Sequence, residues 1–243
     1  MTLHLVTAML WAGLAAEMSP PPLMHFVCRP ATGPIVVDGR GDEPAWADTE
    51  AITEFRLWET FEKPAVETAV RFCYDDNNLY ALFECRDDDL FVLYDERDAN
   101  IWESDAVELF LKPFETDPIY YEFEVAPNNA LFDARMVNSG SGGFPRWKSW
   151  NCDIKTAVTI RGTVNEWHDR DQGYTVEMAI PLRAFEETVG SRPFDGQTWR
   201  FAAVRVDFSV TLEKEQRSST ANVPDGNIHL KEGYSTLTFL PKE

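Results

Sequence analysis

Short runs of β-branched and aromatic residues recur along the chain, with turn-forming residues between them. Such runs are typical of β-strands, and stretches such as DDNN, KPFETDP and APNN between them are typical of turns. Only PLRAFEETV resembles a short helix, with Pro181 in its first turn. The pattern predicts an all-β fold, a two-layer antiparallel β-sandwich with one short helix. The predicted strands are PIVVDG, VETAVRFCY, NLYALFECR, DAVELFLKP, IYYEFEVAP, ALFDARMV, IKTAVTIRGTV, GYTVEMAIP, TWRFAAVRVDF and YSTLTFLP.

The chain of 243 residues, 44% of them hydrophobic, is long enough for one substantial core. Its first sixteen residues carry no charge and end in small residues, like a secretory signal, but the basic n-region of such a signal is missing. We therefore expect residues 1–24 to be a signal-like or mis-assigned segment and residues 25–243 to be the folded domain. A signal would place the protein outside the cell or in the periplasm, and otherwise it would be cytoplasmic.

Acidic residues dominate the charge, with 41 Asp and Glu against 22 Lys and Arg, a formal net charge of −19. This charge repels phosphate backbones and anionic lipids, so we expect neither nucleic acid nor membrane as a partner. It leaves open neutral ligands such as mono- or oligosaccharides, and cations such as calcium, which take oxygen ligands. We expect the protein to be a monomer.

The four cysteines give no clear indication of the compartment. Cys73 and Cys85 flank a predicted hairpin with its turn at residues 76–78, and strand geometry separates them by roughly 10 Å or more, too far for a disulfide. No CxxC pair is present, which argues against a zinc site. A bridge between Cys28 and Cys152 stays open.

Two neighbouring strands place glutamates on the face opposite their apolar residues. In DAVELFLKP, Glu108 alternates with inward-facing residues, and in IYYEFEVAP, Glu122 and Glu124 do the same. We expect Glu108 to lie roughly opposite Glu122. Because opposed like charges destabilise a sheet, the pair requires a cation, a hydroxyl-rich ligand or an arginine such as Arg135 or Arg205. The residues predicted to face the core are Val107, Leu109, Leu111, Tyr121, Phe123 and Val125.

Several blocks of the sequence resemble the family 9 carbohydrate-binding modules and their stand-alone relatives. The blocks are IVVDGRGDEPAW, VRFCYDDNNLYALFECRD, NIWESDAVELFLKP, YYEFEVAPNNALFD and GYTVEMAIPLRAF, of which IWESDAVELFL is the most specific. The resemblance implies a β-sandwich that clamps a sugar between two tryptophans without catalysis. It assigns the first tryptophan to Trp102 and the carboxylate that accepts sugar hydroxyls to Glu108, with further contacts from a nearby arginine.

The sequence also departs from this family. Glu124 stands on the strand where the family carries a sugar-binding arginine, and the second tryptophan is absent before the last strand. We expect His229 to substitute for it, or Trp147 and Trp150 in the Gly-rich stretch GGFPRWKSWN to form an alternative aromatic wall. Arg205 lies near the position of an amide-bearing residue of the family. The predicted carbohydrate-binding residues are Trp102, Glu108, Glu122, Glu124, Arg135, Trp147, Trp150, Arg205 and His229.

The resemblance also implies calcium ions that stabilise the fold. Acidic side chains after predicted strand ends have the required oxygen chemistry. The candidate ligands are Asp38, Asp42, Asp87 and Asp88.

Three other functions compete with sugar binding. A glycoside hydrolase would use two carboxylates of Glu103, Asp105, Glu108 and Glu122, but no hydrolase motif is present. Related sandwiches bind haem, for which Met136 or Met178 with His168 or His229 are nominal ligands, although no CxxCH motif is present. The third alternative is a structural module that has lost its sugar site.

Overall fold

The computed structural model describes residues 20–138, 147–190 and 196–242. Within these ranges, two short α-helices, α1 (Pro44–Ala47) and α2 (Glu186–Val189), and four 3-10 helices (Ile101–Glu103, Leu182–Phe185, Pro224–Gly226 and Lys231–Gly233) accompany twelve strands. The strands are β1 (His25–Pro30), β2 (Arg56–Leu57), β3 (Thr68–Tyr74), β4 (Asn78–Cys85), β5 (Ala106–Lys112), β6 (Ile119–Val125), β7 (Leu131–Val137), β8 (Lys155–Arg161), β9 (Gly173–Pro181), β10 (Thr198–Asp207), β11 (Gln216–Ser219) and β12 (Ser235–Phe239).

The strands form two layers that share β1. The first sheet has the order β7-β6-β5-β10-β12-β1, and β11 and β2 extend it beside the end of β10. The second sheet has the order β1-β3-β4-β9-β8. His25–Cys28 of β1 pair with β12 and Arg29–Pro30 pair with β3, both in parallel, whereas the other strand pairs are antiparallel. The all-β sandwich is confirmed, and β1 makes it mixed instead of purely antiparallel.

The core between the sheets contains the residues that the alternation of β5 and β6 predicted. Val107, Leu109 and Phe123 are fully buried in it together with residues of the opposite sheet. Phe201 of β10 meets Phe72 of β3 edge-on, with ring centroids 5.4 Å apart. Edge-on pairs add about 0.5 to 1.5 kcal/mol beyond the area that they bury.

The outer face of the first sheet is also largely covered. A second apolar cluster lies there, with Phe110 and Tyr120 of the central strands and Phe132 of β7. Residues from loops complete it, among them Trp58 and Ile228. Polar side chains on this face are therefore enclosed, although strand alternation alone would place them in solvent.

The sequence located most strands but missed three. PIVVDG forms no strand, whereas β1, β2 and β11 were not predicted. β2 and β11 have two and four residues, too few for a recognisable alternation. PLRAFEETV forms a 3-10 turn followed by α2, close to the predicted helix.

Residues 1–19 lie outside the described part of the chain, so the proposed boundary near residue 24 stays a prediction. Pro21 accepts a hydrogen bond from the Asn222 side chain, and Met24 accepts one from the Thr236 amide, both through backbone carbonyls. All four cysteines are buried free thiols, and Cys73 lies opposite Tyr80, which agrees with the exclusion of a Cys73–Cys85 bridge. Within the described ranges, no helix is long and apolar enough to cross a membrane.

Candidate functional site

Three glutamates converge on the outer face of the first sheet. Glu108 lies directly opposite Glu124, and Phe110 lies opposite Glu122. The predicted pairing of Glu108 with Glu122 was therefore shifted by two residues, which preserves the face because side chains alternate with period two. One carboxylate oxygen from each of the three glutamates lies within 4.8 Å of the other two.

The three carboxyl groups are almost completely removed from solvent. Burial raises the pKa of Glu108 to about 8, with a further contribution from the charge of Glu122. Burial also raises the pKa of Glu122 to about 7 and that of Glu124 well above its ordinary value. A hydrogen bond between Glu122 and Glu124 lowers the pKa of Glu122 and raises that of Glu124. One oxygen of each, Oε2, is buried without a hydrogen-bond partner among the described residues.

Trp102 reaches these glutamates because the chain before β5 folds back. Ile101–Glu103 form a 3-10 turn, which Ser104 closes by donating from its hydroxyl to the Ile101 carbonyl at 3.0 Å. Tyr94 holds the same turn by donating to Glu103 at 2.6 Å. The half-buried Trp102 ring then meets Phe132 of β7 edge-on at 5.7 Å. This fold-back brings Trp102 into the same cavity as Glu108.

A second tryptophan comes from a part of the chain that the sequence did not indicate. Trp58 follows β2, and its backbone amide donates to the Arg217 carbonyl on β11 at 3.1 Å. The Arg217 guanidinium carbon lies 5.7 Å from the centroid of the Trp58 ring. Its positive charge lowers the pKa values of Glu108 and Glu124, against the larger effect of burial. Trp58 Nε1 and Arg217 Nε are both buried, and neither has an acceptor within the described ranges of the chain.

The loop before β12 supplies the remaining wall. His229 Nδ1 hydrogen-bonds the Tyr120 hydroxyl at 2.9 Å, and its ring meets Phe110 edge-on at 5.8 Å. Burial, followed by the charge of Lys231, lowers the pKa of His229, which favours the neutral imidazole. Together these residues enclose a cavity of about 260 Å³, which we name the three-glutamate pocket. Its lining residues are Trp58, Trp102, Glu108, Glu122, Glu124, Arg217, Gly226, Asn227, Ile228 and His229.

Arg205, predicted to contact a sugar, lies elsewhere. On β10 its neighbour Val204 opposes Glu108, so alternation directs Arg205 to the inter-sheet side. Its side chain is 1% exposed and pairs with Asp87, with Asp207 at 3.1 Å and with Asp105 at 3.9 Å. We therefore remove Arg205 from the predicted sugar site.

Three further predicted residues also lie outside the pocket lining. Arg135 opposes the core residue Tyr121 and pairs with Glu187. Trp150 packs against Tyr121, with ring centroids 5.4 Å apart, on the inter-sheet side. Trp147 is buried in the outer apolar cluster, and residues 139–146 before it lie outside the described ranges. We remove all three from the candidate site, whereas Trp102, Glu108, Glu122, Glu124 and His229 line one pocket.

The candidate calcium ligands do not form one group. Asp38 and Asp42 are exposed, and Asp88 pairs with exposed Arg170 at 2.8 Å. Asp87 instead joins Asp105 and Asp207. Arg205 pairs with these three aspartates and already supplies a compensating positive charge.

The haem ligands and most of the hydrolase carboxylates are dispersed. Met136 belongs to the outer apolar cluster, Met178 belongs to the inter-sheet core, and His168 is an exposed residue that hydrogen-bonds Glu166. Glu103 is exposed and Asp105 belongs to the Arg205 cluster. Of the four carboxylates considered for a hydrolase, Glu108 and Glu122 line the pocket.

Known proteins with related folds and sequences were compared with the chain. An extracellular protein of Arthroderma benhamiae is 26% identical over 198 residues, which cover 78% of this chain and 86% of that protein. A crystal structure from Bacteroides uniformis has a TM-score of 0.67 at 16% identity and covers 90% of this chain and 100% of its own. A family 9 carbohydrate-binding module from Caldicellulosiruptor kristjanssonii, in complex with cellotriose, has a TM-score of 0.61 at 17% identity, covering 90% of this chain and 95% of its own.

At 16% and 17% sequence identity, the two solved structures show that this chain shares their fold. The family described as "Carbohydrate family 9 binding domain-like" matches residues 37–227, which is most of the chain. Those residues include the strands that carry the three glutamates as well as Trp58, Trp102 and Arg217. The protein therefore belongs to the carbohydrate family 9 binding domain-like family.

Proposed function

We propose that the protein binds a saccharide in the three-glutamate pocket. The strongest support is a set of buried polar atoms that have no hydrogen-bond partner in the described part of the chain. Glu122 Oε2 and Glu124 Oε2 are acceptors, whereas Trp58 Nε1 and Arg217 Nε are donors. A buried polar group without a partner costs about 1 to 3 kcal/mol. A sugar hydroxyl both donates and accepts, so one ligand satisfies both kinds of atom.

The walls of the pocket suit the rest of a sugar. The apolar C–H face of a pyranose packs on an aromatic ring, and Trp102 and Trp58 both line the cavity. Its volume of about 260 Å³ is below the range of roughly 300 to 1,000 Å³ for pockets of drug-sized ligands. We therefore propose a single sugar unit or a chain end as the ligand, bound by one protein monomer.

We propose that binding occurs without catalysis. A glycoside hydrolase places two carboxyl groups on either side of the scissile bond, with one raised and one ordinary pKa. Here three carboxyl groups converge on one face of a sheet, and burial raises the pKa of every one of them. Incubation with oligosaccharides should release no new reducing ends. Hydrolysis that disappears in a Glu108→Gln variant would contradict this proposal.

Replacing Trp102 by alanine should abolish most of the sugar binding. The lost stacking surface is worth roughly 1 to 3 kcal/mol, by analogy with bases stacked on aromatic side chains. Because the Trp102 ring also contacts Phe132, the melting midpoint should fall by a few degrees, corresponding to about 1 kcal/mol. Calorimetric titration with glucose and cello-oligosaccharides, run beside thermal melts, measures both effects.

The matched control is Trp167→Ala, since Trp167 is 64% exposed and does not line the pocket. This variant should bind and melt like the wild type. If Trp102→Ala binds as tightly as the wild type, or if Trp167→Ala loses the same affinity, the sugar does not stack on Trp102.

Calcium is a further proposal, and the acidic loop at Asp87–Asp89 is the place where the residues fit it best. Asp89 Oδ1 and Asp207 Oδ2 are buried and have no hydrogen-bond partner among the residues that the structure describes. Burial raises the pKa of Asp207 to about 6, and the charges of the three loop aspartates raise it further, against Arg205. Carboxylate oxygens of this kind are ligands that calcium prefers.

Chelation should therefore lower the thermal midpoint of the protein. A ligand present at a hundred times its dissociation constant adds about 2.7 kcal/mol to the free energy of unfolding. Melts with EDTA and with added calcium should differ for the wild type and for Asp38→Asn, which changes an exposed residue. For Asp89→Asn, the melting midpoints in EDTA and in calcium should be the same. An unchanged wild-type midpoint in EDTA would rule out a stabilising calcium.

A further inference from the structure

The charge of the three-glutamate pocket is unusual for a site that takes a neutral sugar. Three glutamates line it, against one arginine, Arg217. Burial, followed by the charge of Lys231, lowers the pKa of His229, so its imidazole adds little positive charge near neutral pH. Burial raises the pKa of all three carboxyl groups, so protons compensate them in the absence of a cation, and a positively charged ligand can take the place of these protons. The pocket therefore favours a ligand that carries a positive charge.

We propose that the ligand is a sugar with a free amino group, whose ammonium lies among Glu108, Glu122 and Glu124. This inference rests on the proposed saccharide binding and specifies the class of sugar. The two buried oxygens without partners, Glu122 Oε2 and Glu124 Oε2, are the acceptors that such a group would satisfy.

The three carboxylate oxygens are close enough together to accept from one ammonium group. An ammonium has three N–H donors in a tetrahedral arrangement. With hydrogen bonds of about 2.8 Å, three acceptors around it lie about 4.6 Å from one another. One oxygen from each glutamate lies within 4.8 Å of the others, so three charge-assisted hydrogen bonds fit the cluster.

The remaining lining favours an amino sugar over a divalent metal ion. Calcium takes six to eight oxygen ligands, and magnesium demands near-ideal octahedral geometry. Beyond the three carboxylates, the side chains of the pocket offer two indoles, an imidazole, the Arg217 guanidinium and the Asn227 amide, whose oxygen already accepts from the His229 backbone amide at 3.0 Å. The guanidinium repels a dication, whereas the indoles provide stacking faces for a pyranose and attract an ammonium through their π-faces.

No lysine competes for the cluster among the residues that line the pocket in the described part of the chain. The nearby Lys231 lies with its ammonium 4.8 Å from the centroid of the Tyr120 ring. It also donates to the His229 carbonyl at 3.3 Å. Among the lining residues in the described part of the chain, Arg217 is therefore the one permanently charged cation near the three carboxylates.

Calorimetric titration of the whole protein with three probes of similar size tests this inference: glucosamine, glucose and N-acetylglucosamine. Glucosamine should bind at least about tenfold more tightly than the other two near neutral pH, a difference of about 1.4 kcal/mol. Its binding should also release protons, visible as a dependence of the heat on the buffer, because an ammonium stabilises the ionised carboxylates. In Glu124→Gln the ratio of glucosamine to glucose affinity should fall towards one.

The control variant is Glu50→Gln, because a protein of net charge −19 attracts any cation weakly. Glu50 is exposed on the loop between α1 and β2, so this variant should keep the full preference for glucosamine. Equal loss of the preference in both variants would show unspecific attraction and overturn the inference.

The other outcomes separate this inference from the proposal on which it rests. If glucose binds as tightly as glucosamine, the amino-sugar assignment fails and saccharide binding stands. If none of the probes or cello-oligosaccharides binds, both fail. If calcium or manganese binds the wild type and Glu124→Gln abolishes that binding, the cluster is a metal site, and the inference is overturned.

Discussion

An Arg205→Ala variant should unfold about 10 °C below the wild type. Arg205 is the one cation among Asp87, Asp105 and Asp207 in their described surroundings, and all four side chains are at most 3% exposed. Removing one partner of a buried ion pair costs about 3 to 5 kcal/mol, because it leaves uncompensated charge in the interior. In a domain of this size each kcal/mol moves the midpoint by roughly 2 to 4 °C. Thermal melts near neutral pH measure the change.

The control for this prediction is the ion pair formed by Asp88, the neighbour of Asp87 in the sequence. Arg170 pairs with Asp88 at 2.8 Å, but the two side chains are 80% and 56% exposed. Exposed pairs contribute at most about 1 kcal/mol, so Arg170→Ala should melt within a few degrees of the wild type. Similar midpoints for the two arginine variants would mean that the buried cluster does not stabilise the fold.

The Arg205 cluster also holds the beginning of the strand that carries Glu108. Asp105 accepts hydrogen bonds from the backbone amides of Phe91 at 2.8 Å and Phe208 at 2.7 Å. These bonds fix the chain immediately after the turn that presents Trp102. The cluster is therefore structural, although we first assigned Arg205 to the sugar site.

Strand alternation was enough to predict which face carries the glutamates. Val107, Leu109 and Phe123 are buried between the sheets, as their period-two spacing indicated, and Glu108 and Glu124 lie on the other face. Alternation does not fix the register between strands. The turn between β5 and β6 moved the partner of Glu108 from position 122 to position 124.

The assignment of Arg205 failed for a related reason. Its face depends on the register of β10 against β5, strands that are almost ninety positions apart in the chain, and no local signal sets that pairing. The register places Val204, and not Arg205, opposite Glu108. Once the pairing is known, alternation gives the correct face.

The second tryptophan and the arginine of the pocket could not be predicted from local pattern either. Trp58 and Arg217 lie on or beside β2 and β11, strands of two and four residues that pair with each other and with the end of β10. Strands this short have no hydrophobic period. The enclosure of the glutamates was likewise hidden, because loops distant in the sequence build the outer apolar cluster.

A Glu108→Gln variant should be more stable than the wild type at high pH and equally stable at low pH. The ordinary pKa of a glutamate in an unfolded chain is near 4.5, and burial raises that of Glu108 to about 8. The folded state therefore binds the proton more tightly than the unfolded state does. The associated stability is fully present below about pH 4.5 and is lost as the pH rises through about 8.

This loss is on the order of 5 kcal/mol for Glu108, since one pKa unit corresponds to 1.36 kcal/mol. Glutamine keeps the size of the side chain and its carbonyl acceptor but cannot ionise. Its advantage should therefore appear between about pH 5 and 8 and reach a melting midpoint roughly 8 °C or more above the wild type at pH 9. Melts from pH 4 to pH 9 follow this dependence.

Glu50→Gln is the control, because Glu50 is exposed and its carboxylate stays hydrated in both states. Its midpoint should follow the wild type at every pH.

The pH dependence of stability also bears on ligand binding. At high pH, desolvation and mutual repulsion of the carboxylates destabilise the pocket, and a ligand that donates hydrogen bonds to them relieves both. Among several ligands, we therefore expect the one with the most donors or the most positive charge to raise the wild-type melting midpoint most at pH 8. If Glu108→Gln and the wild type melt together at pH 9, the three glutamates do not form a strained acidic cluster, and the electrostatic basis for a cationic ligand is lost.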